Sequence, residues 1–269
     1  MVTDHYGRPA LFDAIMAALE ASGRDLARLA PDDLAPVDEF HTRGRPATIE
    51  LATLLSLTGA EQVLDLGSGL GGPARYLART YGCRVTGLDL TAEFVDVATR
   101  LARLTRLDDK VHYREGDALA TPFAEASFDV VWSQNVAMNI ADRPRLYAEI
   151  HRVLRPGGRY ALSDVVTGPA GGEPHFPVPW AREPLASHLL SAGATRRALE
   201  HAGFEVIAWE DTTAKALAAA EERAHLIPAP TSLGLHLVLG PAWPAISANL
   251  LRNYQEGRIG VIHAVAGRA

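Results

Sequence analysis

Residues 63–72 read Val-Leu-Asp-Leu-Gly-Ser-Gly-Leu-Gly-Gly, and this stretch narrows the possible folds more than any other. A short apolar strand, 62–66, runs directly into glycines, and a helical pattern follows at 70–81. Residues without a Cβ let the backbone turn tightly and lie close to a ligand. The alternation continues down the chain. Apolar runs at 84–88, 111–114, 128–133 and 159–166 predict strands, and the periodicity at 91–104 and 143–154 predicts helices. Thr91 and Asp142 are the expected N-caps of those helices, and Glu93 puts an acid in the first turn of the former. The turn Arg-Pro-Gly-Gly at 155–158 closes the latter. Such alternation builds a parallel sheet covered on both faces, with ligands at the carboxyl ends of the strands where strand order reverses.

The flanks are less regular. Leu11, Phe12, Ile15, Met16 and Leu19 form a helical stripe. A second helix is expected from about Pro46 through Leu55, with a polar, proline-punctuated connector at 33–46 between the two. Residues 168–184 carry three glycines and five prolines and read as a loop or lid. A helix at 195–202 and a strand at 204–210 follow, then helical patterns at 212–223 and 241–255, then a last strand at 259–265. About 45 residues thus separate the final two strands, where a short hairpin would join antiparallel neighbours. The expected organisation is one domain: an N-terminal helical lid (1–60), a ligand-binding core (61–211), a helical cap insertion (212–256) and a last strand (257–269).

Composition narrows the function classes. Of 269 residues, 48% are hydrophobic and 22% charged, with a net charge of −6. A mildly acidic chain without a Lys/Arg block is a poor nucleic-acid partner. No apolar run approaches the roughly 18 residues of a membrane span, and the start lacks a secretory pattern. Cys83 is the only cysteine, which fits a reducing cytoplasm. No metal-ligand spacing, no Gly-x-Ser-x-Gly elbow and no Walker motif occurs. The arginines of 143–155 read as a solvated helix face.

Gly67, Gly69 and Gly72 satisfy the G-x-G-x-x-G pattern, which by itself is weak evidence for a dinucleotide. Asp65 just ahead of them would repel a pyrophosphate and suits a ligand with an ammonium group. Asp89 ends the second strand, where a carboxylate accepts from ribose hydroxyls, each bond being worth roughly 1.5–3 kcal/mol. Asp117, in Gly116-Asp117-Ala118 after the third strand, is placed to accept from an adenine amine. Three carboxylates at three consecutive strand ends suit a cationic adenosine ligand.

On these residues the sequence resembles the class I S-adenosylmethionine-dependent methyltransferases. Leu-Asp-Leu-Gly-Ser-Gly-Leu-Gly-Gly is similar to their first motif, Gly-Leu-Asp-Leu to the second and Gly-Asp-Ala to the adenine motif. Phe-Asp-Val-Val-Trp-Ser and Leu-Arg-Pro-Gly-Gly are similar to the motifs of the fourth and fifth strands. Gly-Gly-Pro-Ala-Arg-Tyr-Leu (71–77), Trp-Ser-Gln (132–134) and Glu-Gly-Arg-Ile-Gly (256–260) resemble the sarcosine/dimethylglycine methyltransferase branch. That branch shows an acid and a histidine where this chain has Asn135 and Asn139.

The resemblance implies a Rossmann-like α/β sheet of about seven strands, mostly parallel with the last antiparallel. It implies metal-independent, in-line SN2 transfer of a methyl group to a small molecule, with a general base needed only where the nucleophile is protonated and no catalytic residue assigned. Asp65 would face the methionyl ammonium, Gly67 and Gly69 would let the backbone lie against the adenosyl and methionyl parts, Asp89 would bind the ribose, and Leu90, Asp117 and Ala118 the adenine. Gln134 would turn its carbonyl to the ammonium. Tyr6, His41, Asn135, Asn139, Trp180 and His188 are the candidates for the acceptor side. Two other readings stay open: a nicotinamide-dependent oxidoreductase, and a non-catalytic protein that binds S-adenosylmethionine.

Overall fold

The computed structural model describes residues 10–224 and 231–269. Tyr6 lies outside these residues, as do Leu226 and Ile227 of the cap. The centre is a seven-stranded sheet in the order β3-β2-β1-β4-β5-β7-β6. The strands are β1 (Gln62–Leu66), β2 (Arg84–Asp89), β3 (Val111–Glu115), β4 (Phe128–Gln134), β5 (Leu154–Thr167), β6 (Phe204–Asp211) and β7 (Ile259–Arg268). The first five pair in parallel, and β7 runs antiparallel between β5 and β6. Strand order reverses between β1 and β4, so the crevice at their carboxyl ends is the expected ligand position.

The helices bury the stripes that the sequence predicts. Helices α1 (Leu11–Ala21), α2 (Pro31–Asp38) and α3 (Arg45–Thr53) precede the sheet. The core helices are α4 (Gly72–Tyr81), α5 (Ala92–Leu104), α6 (Arg143–Val153) and α7 (Ala192–His201). In α5, Phe94, Val97, Ala98, Leu101 and Ala102 are buried on one face, which is helical spacing. One sheet face packs Leu64, Leu66 and Leu162 against Leu146, Tyr147 and Ile150 of α6. The other packs Val63, Val85, Val130 and Trp132 against α3 and α4.

Three expectations need correction. The connector at 33–46 contains α2, which starts with Pro31 and carries Asp32 and Asp33 in its first turn, both ordinary helix-start signals. The Thr91 side chain makes no cap bond; the Asp89 carboxylate accepts from the Thr91 N–H instead, at 2.9 Å. Arg143 is 5% exposed rather than solvated. It donates to the carbonyls of Ile140 (3.0 Å) and His188 (2.8 Å). Asp142 does cap α6, accepting from the Arg145 N–H at 3.0 Å.

The cap between β6 and β7 holds α8 (Thr213–Ala224), the single-turn α9 (His236–Leu239) and α10 (Trp243–Gln255). Leu217 and Leu250 pack with Trp180, Ala216 and Tyr254, while Leu233 and Leu237 pack with α1. Among the described residues no helix is long and apolar enough to cross a membrane.

Candidate functional site

A cavity of about 550 Å³ opens at the carboxyl ends of the strands, within the range usual for small-molecule sites. The strand ends, Asp38 with residues 40–43, the turn after β4, Trp180 and the cap all contribute to its wall. Every sequence-predicted site residue that is described lines it: Asp65, Gly67, Gly69, Asp89, Leu90, Asp117, Ala118, Gln134, His41, Asn135, Asn139, Trp180 and His188.

The glycine turn hooks onto the next strand. The Gly67 and Ser68 N–H groups donate to the Leu88 carbonyl at 2.7 and 3.1 Å, and the Gly69 N–H donates to Asp89 Oδ2 at 2.8 Å. Gly67 and Gly69 both have positive φ, which L side chains rarely adopt. They serve different ends. A Cβ at Gly67 would strike Val136, whereas one at Gly69 would meet nothing within 4 Å. Gly69 therefore presents bare backbone to the cavity.

The three carboxylates differ in environment. Asp65 is 2% exposed, and its Oδ2 has no hydrogen-bond partner. Burial, reinforced by the carboxylates of Glu39 and Asp89, pushes it up to about 8. A buried carboxyl oxygen without a donor carries a desolvation cost that a bound cation offsets. Asp89 is half-buried at the end of β2. Burial raises its pKa against the pull of the Thr91 and Gly69 N–H groups. It braces the glycine turn and α5 as well as facing the cavity. Asp117 is exposed at the rim and accepts from the Leu119 N–H at 2.8 Å, which holds its turn. Leu90 stays 45% exposed, an apolar surface in the cavity wall.

Gln134 departs from expectation. Its Oε1 accepts from the Trp132 indole N–H at 3.0 Å and lies 3.2 Å from the Thr48 hydroxyl. An indole N–H only donates, so the atom it meets is the carbonyl, and that carbonyl is turned into the wall rather than toward an ammonium. The amide nitrogen is left 3.3 Å from His41 Nδ1. Nδ1 also lies 3.3 Å from the Thr42 carbonyl, and Nε2 lies 2.7 Å from Glu39 Oε2. Glu39 is buried; burial opposes its charge, yet the bond to His41 with Arg45 and Thr48 keeps its pKa below the usual value. Arg45 Nε lies 3.0 Å from Glu39 Oε1.

The turn after β4 is fixed from below. Asp164 Oδ1 accepts from the Val136 and Ala137 N–H groups at 3.1 and 3.2 Å. This presents Asn135, at φ 56°, whose Nδ2 donates to Thr42 Oγ1 at 3.1 Å. Asn139 donates to the Trp180 carbonyl at 2.7 Å, and the Trp180 indole donates to Ser187 Oγ at 2.9 Å. Trp180, 3% exposed, is both a packed lid residue and part of the cavity wall.

Other wall residues escaped the sequence reading: Phe40, Thr42, Arg43 and Val136 outside the cap, and Arg223, Leu239, Trp243 and Tyr254 from the cap. The helix-start signal of α2 could have placed residues 39–43 at a helix exit. Nothing local marks the cap residues, because packing of α8 on α10 selects them.

Residues 64–162 match the family model of a methyltransferase domain. Methyltransferase GfsG of Streptomyces halstedii is 36% identical over 50% of this chain and 48% of its own length. The 27-O-demethylrifamycin SV methyltransferase of Amycolatopsis mediterranei is 38% identical over 53% and 52%. The sarcosine/dimethylglycine N-methyltransferase of Halorhodospira halochloris is 32% identical over 68% and 64%. The chain spans about half the length of several of the curated relatives it matches. Geranyl diphosphate C-methyltransferase from Streptomyces coelicolor A3(2), solved with S-adenosyl-L-homocysteine, shares the fold. Its TM-score is 0.72 at 22% identity, over 98% of this chain and 99% of that one. The [4+2]-cyclase SpnF does so at TM-score 0.67 and 24% identity, over 96% and 93%.

Proposed function

We propose that the chain carries a class I S-adenosylmethionine-dependent methyltransferase domain and that it methylates a small molecule held under the cap. One observation carries the reading. The carboxylates of Asp65, Asp89 and Asp117 stand at three consecutive strand ends around one cavity, and the most buried of them has an oxygen without a donor. That arrangement suits a cationic adenosine ligand and not a pyrophosphate. S-adenosylmethionine, when bound, supplies an electrophilic methyl group.

The protein's own part is binding, orientation and exclusion of water. Asp65 receives the ammonium group, Asp89 the ribose hydroxyls, and Leu90, Asp117 and Ala118 the adenine. Gly69 lets the backbone approach. Gln134 acts indirectly, by seating His41. Trp180, Trp243, Leu239 and Leu250 wall the acceptor side with apolar surface. Where the acceptor's nucleophile carries a proton, His41 is the group best suited to take it, since Glu39 stabilises the imidazolium that forms. Asn135, Asn139 and His188 line the same side. The relatives' names as methyltransferases of small molecules support this reading.

The test is a screen of amine, phenol and carbon-acid acceptors with S-adenosylmethionine, reading S-adenosylhomocysteine, together with calorimetry against S-adenosylhomocysteine and NAD. Binding of the first ligand and not the second, with turnover of an acceptor, is expected. NAD binding without a response to S-adenosylhomocysteine would point to an oxidoreductase. Cofactor binding without turnover of any acceptor would leave a non-catalytic binding protein, or chemistry of another kind on the same scaffold.

A further inference from the structure

The cavity is electrically lopsided. Besides five aspartates, at positions 38, 65, 89, 117 and 142, its wall holds two arginines, Arg43 and, from the cap, Arg223. Arg43, buried in the wall, is bound to Glu50 through two guanidinium nitrogens, one at 2.8 Å. Glu50 also takes Lys215 at 3.0 Å. One carboxylate therefore answers two cations, and none is left for a third.

That third cation is Arg223, near the end of α8. It is half-buried and lines the cavity, and it makes no hydrogen bond or ion pair with any described residue. The charges around it are Glu222, exposed on its own helix, and Arg43, which repels it. Burial lowers its pKa from the ordinary guanidinium value, a desolvation cost that Tyr254 and Glu222 offset only in part. Its neighbour Tyr254, from α10, is 4% exposed and also lines the cavity. The Tyr254 hydroxyl lies beside Thr42 and has no partner at hydrogen-bonding geometry. A guanidinium and a buried hydroxyl, neither hydrogen-bonded to any described residue, thus lie near each other in the cavity wall.

We propose that Arg223 and Tyr254 form an anion subsite, and that the molecule bound beneath the cap has an apolar body ending in an anionic oxygen group, a carboxylate or a phosphate ester. Guanidinium is the cation best matched to such groups, because its donors meet two oxygens at once. The apolar body lies along Trp243, Leu239 and Leu250. The polarity separates the two ligands: the cationic cofactor is drawn to the strand ends and the anionic acceptor to the cap. The inference rests on the methyltransferase reading for which end holds the cofactor.

The test is calorimetry on the full chain at low salt, with and without saturating S-adenosylhomocysteine. Decanoate, decyl phosphate, decanol and decylamine are the probes. At least one of the two anions should bind tenfold or more tighter than decanol, and decylamine more weakly than decanol. The ratio of decanoate to decyl phosphate tells which anion the subsite prefers. Arg223→Gln should remove that preference while leaving decanol binding unchanged, Arg223→Lys should retain part of it, and Tyr254→Phe should reduce it severalfold. Circular dichroism confirms the fold of each variant. Equal binding of all four probes, or an anion preference that survives in folded Arg223→Gln, overturns the proposal. If S-adenosylhomocysteine fails to bind while the anion preference holds, the methyltransferase reading falls and the subsite stands.

Discussion

At the floor of the cavity, Asp65 links a buried charge to both stability and binding. Its pKa, about 8 in the folded chain against 3.8 ordinarily, means that the native state holds a proton which the unfolded state gives up. The associated stability is present below about pH 4 and is lost as pH rises toward 8. Asp65→Asn, which cannot ionise, should therefore gain thermal midpoint relative to wild type as pH goes from 4 to 9; a constant difference across that range would contradict the burial argument. An ammonium group beside Asp65 favours its ionised form, so cofactor binding at pH 7 should release a proton. Calorimetry in two buffers of different ionisation enthalpy measures that release, which should vanish in the variant. Asp89 is a different case. Asp89→Ala should weaken S-adenosylhomocysteine binding about a hundredfold, for roughly 3 kcal/mol of lost bonds to the ribose. It should also lower the thermal midpoint slightly, since Gly69 and Thr91 lose their acceptor. Both acids are legible in the sequence from their places beside the glycines and at a strand end. For the Gln134 carbonyl, its partner Trp132 lies two residues away on the same strand, whereas only the fold brings Thr48 to it.

Among the elements, the helices of the core follow from their stripes, whereas α2 was hidden by the prolines at 31 and 36. Pro31 stands at the first helical position, where its missing N–H is harmless; the run of acids after it is a start signal rather than a polar connector. The cap is legible as an insertion of helical pattern but not as a set of cavity residues. In α8, Ala216, Ala219 and Ala220 line the cavity, and their small size leaves the acceptor its space. Ala220→Phe should fill part of that space. Acceptor KM should rise by about tenfold or more, in line with the ~1–3 kcal/mol at stake in an apolar pocket. S-adenosylhomocysteine affinity should stay within about twofold, because the cofactor carboxylates all lie outside the cap. A loss of cofactor affinity with unchanged acceptor KM would shift the specificity role to the N-terminal helices.

The whole molecule depends on its last strand. β7 pairs with β5 over Arg159–Thr167 and with β6 over most of its length, so it lies inside the sheet although it closes the described chain. A chain ending at Arg258 should fail to fold, giving no cooperative thermal transition by circular dichroism. A cooperative transition near the wild-type midpoint would mean that β5 and β6 hold without it. The order of these strands is not written locally: Ile259–Arg268 reads as an apolar strand, and its two neighbours come from distant parts of the chain. Periodicity and the glycine turn determine from sequence alone that there is a mostly parallel sheet, where its ligand end lies, and that Asp65, Gly69, Asp89 and Asp117 sit there, because each of those features is set within a few residues. Tertiary structure alone decides that Glu39 and Gln134 flank the His41 ring, that Arg143 is buried, and that Arg223 reaches the cavity. Those outcomes depend on burial and on partners supplied by segments far apart in the chain, and no local pattern records them.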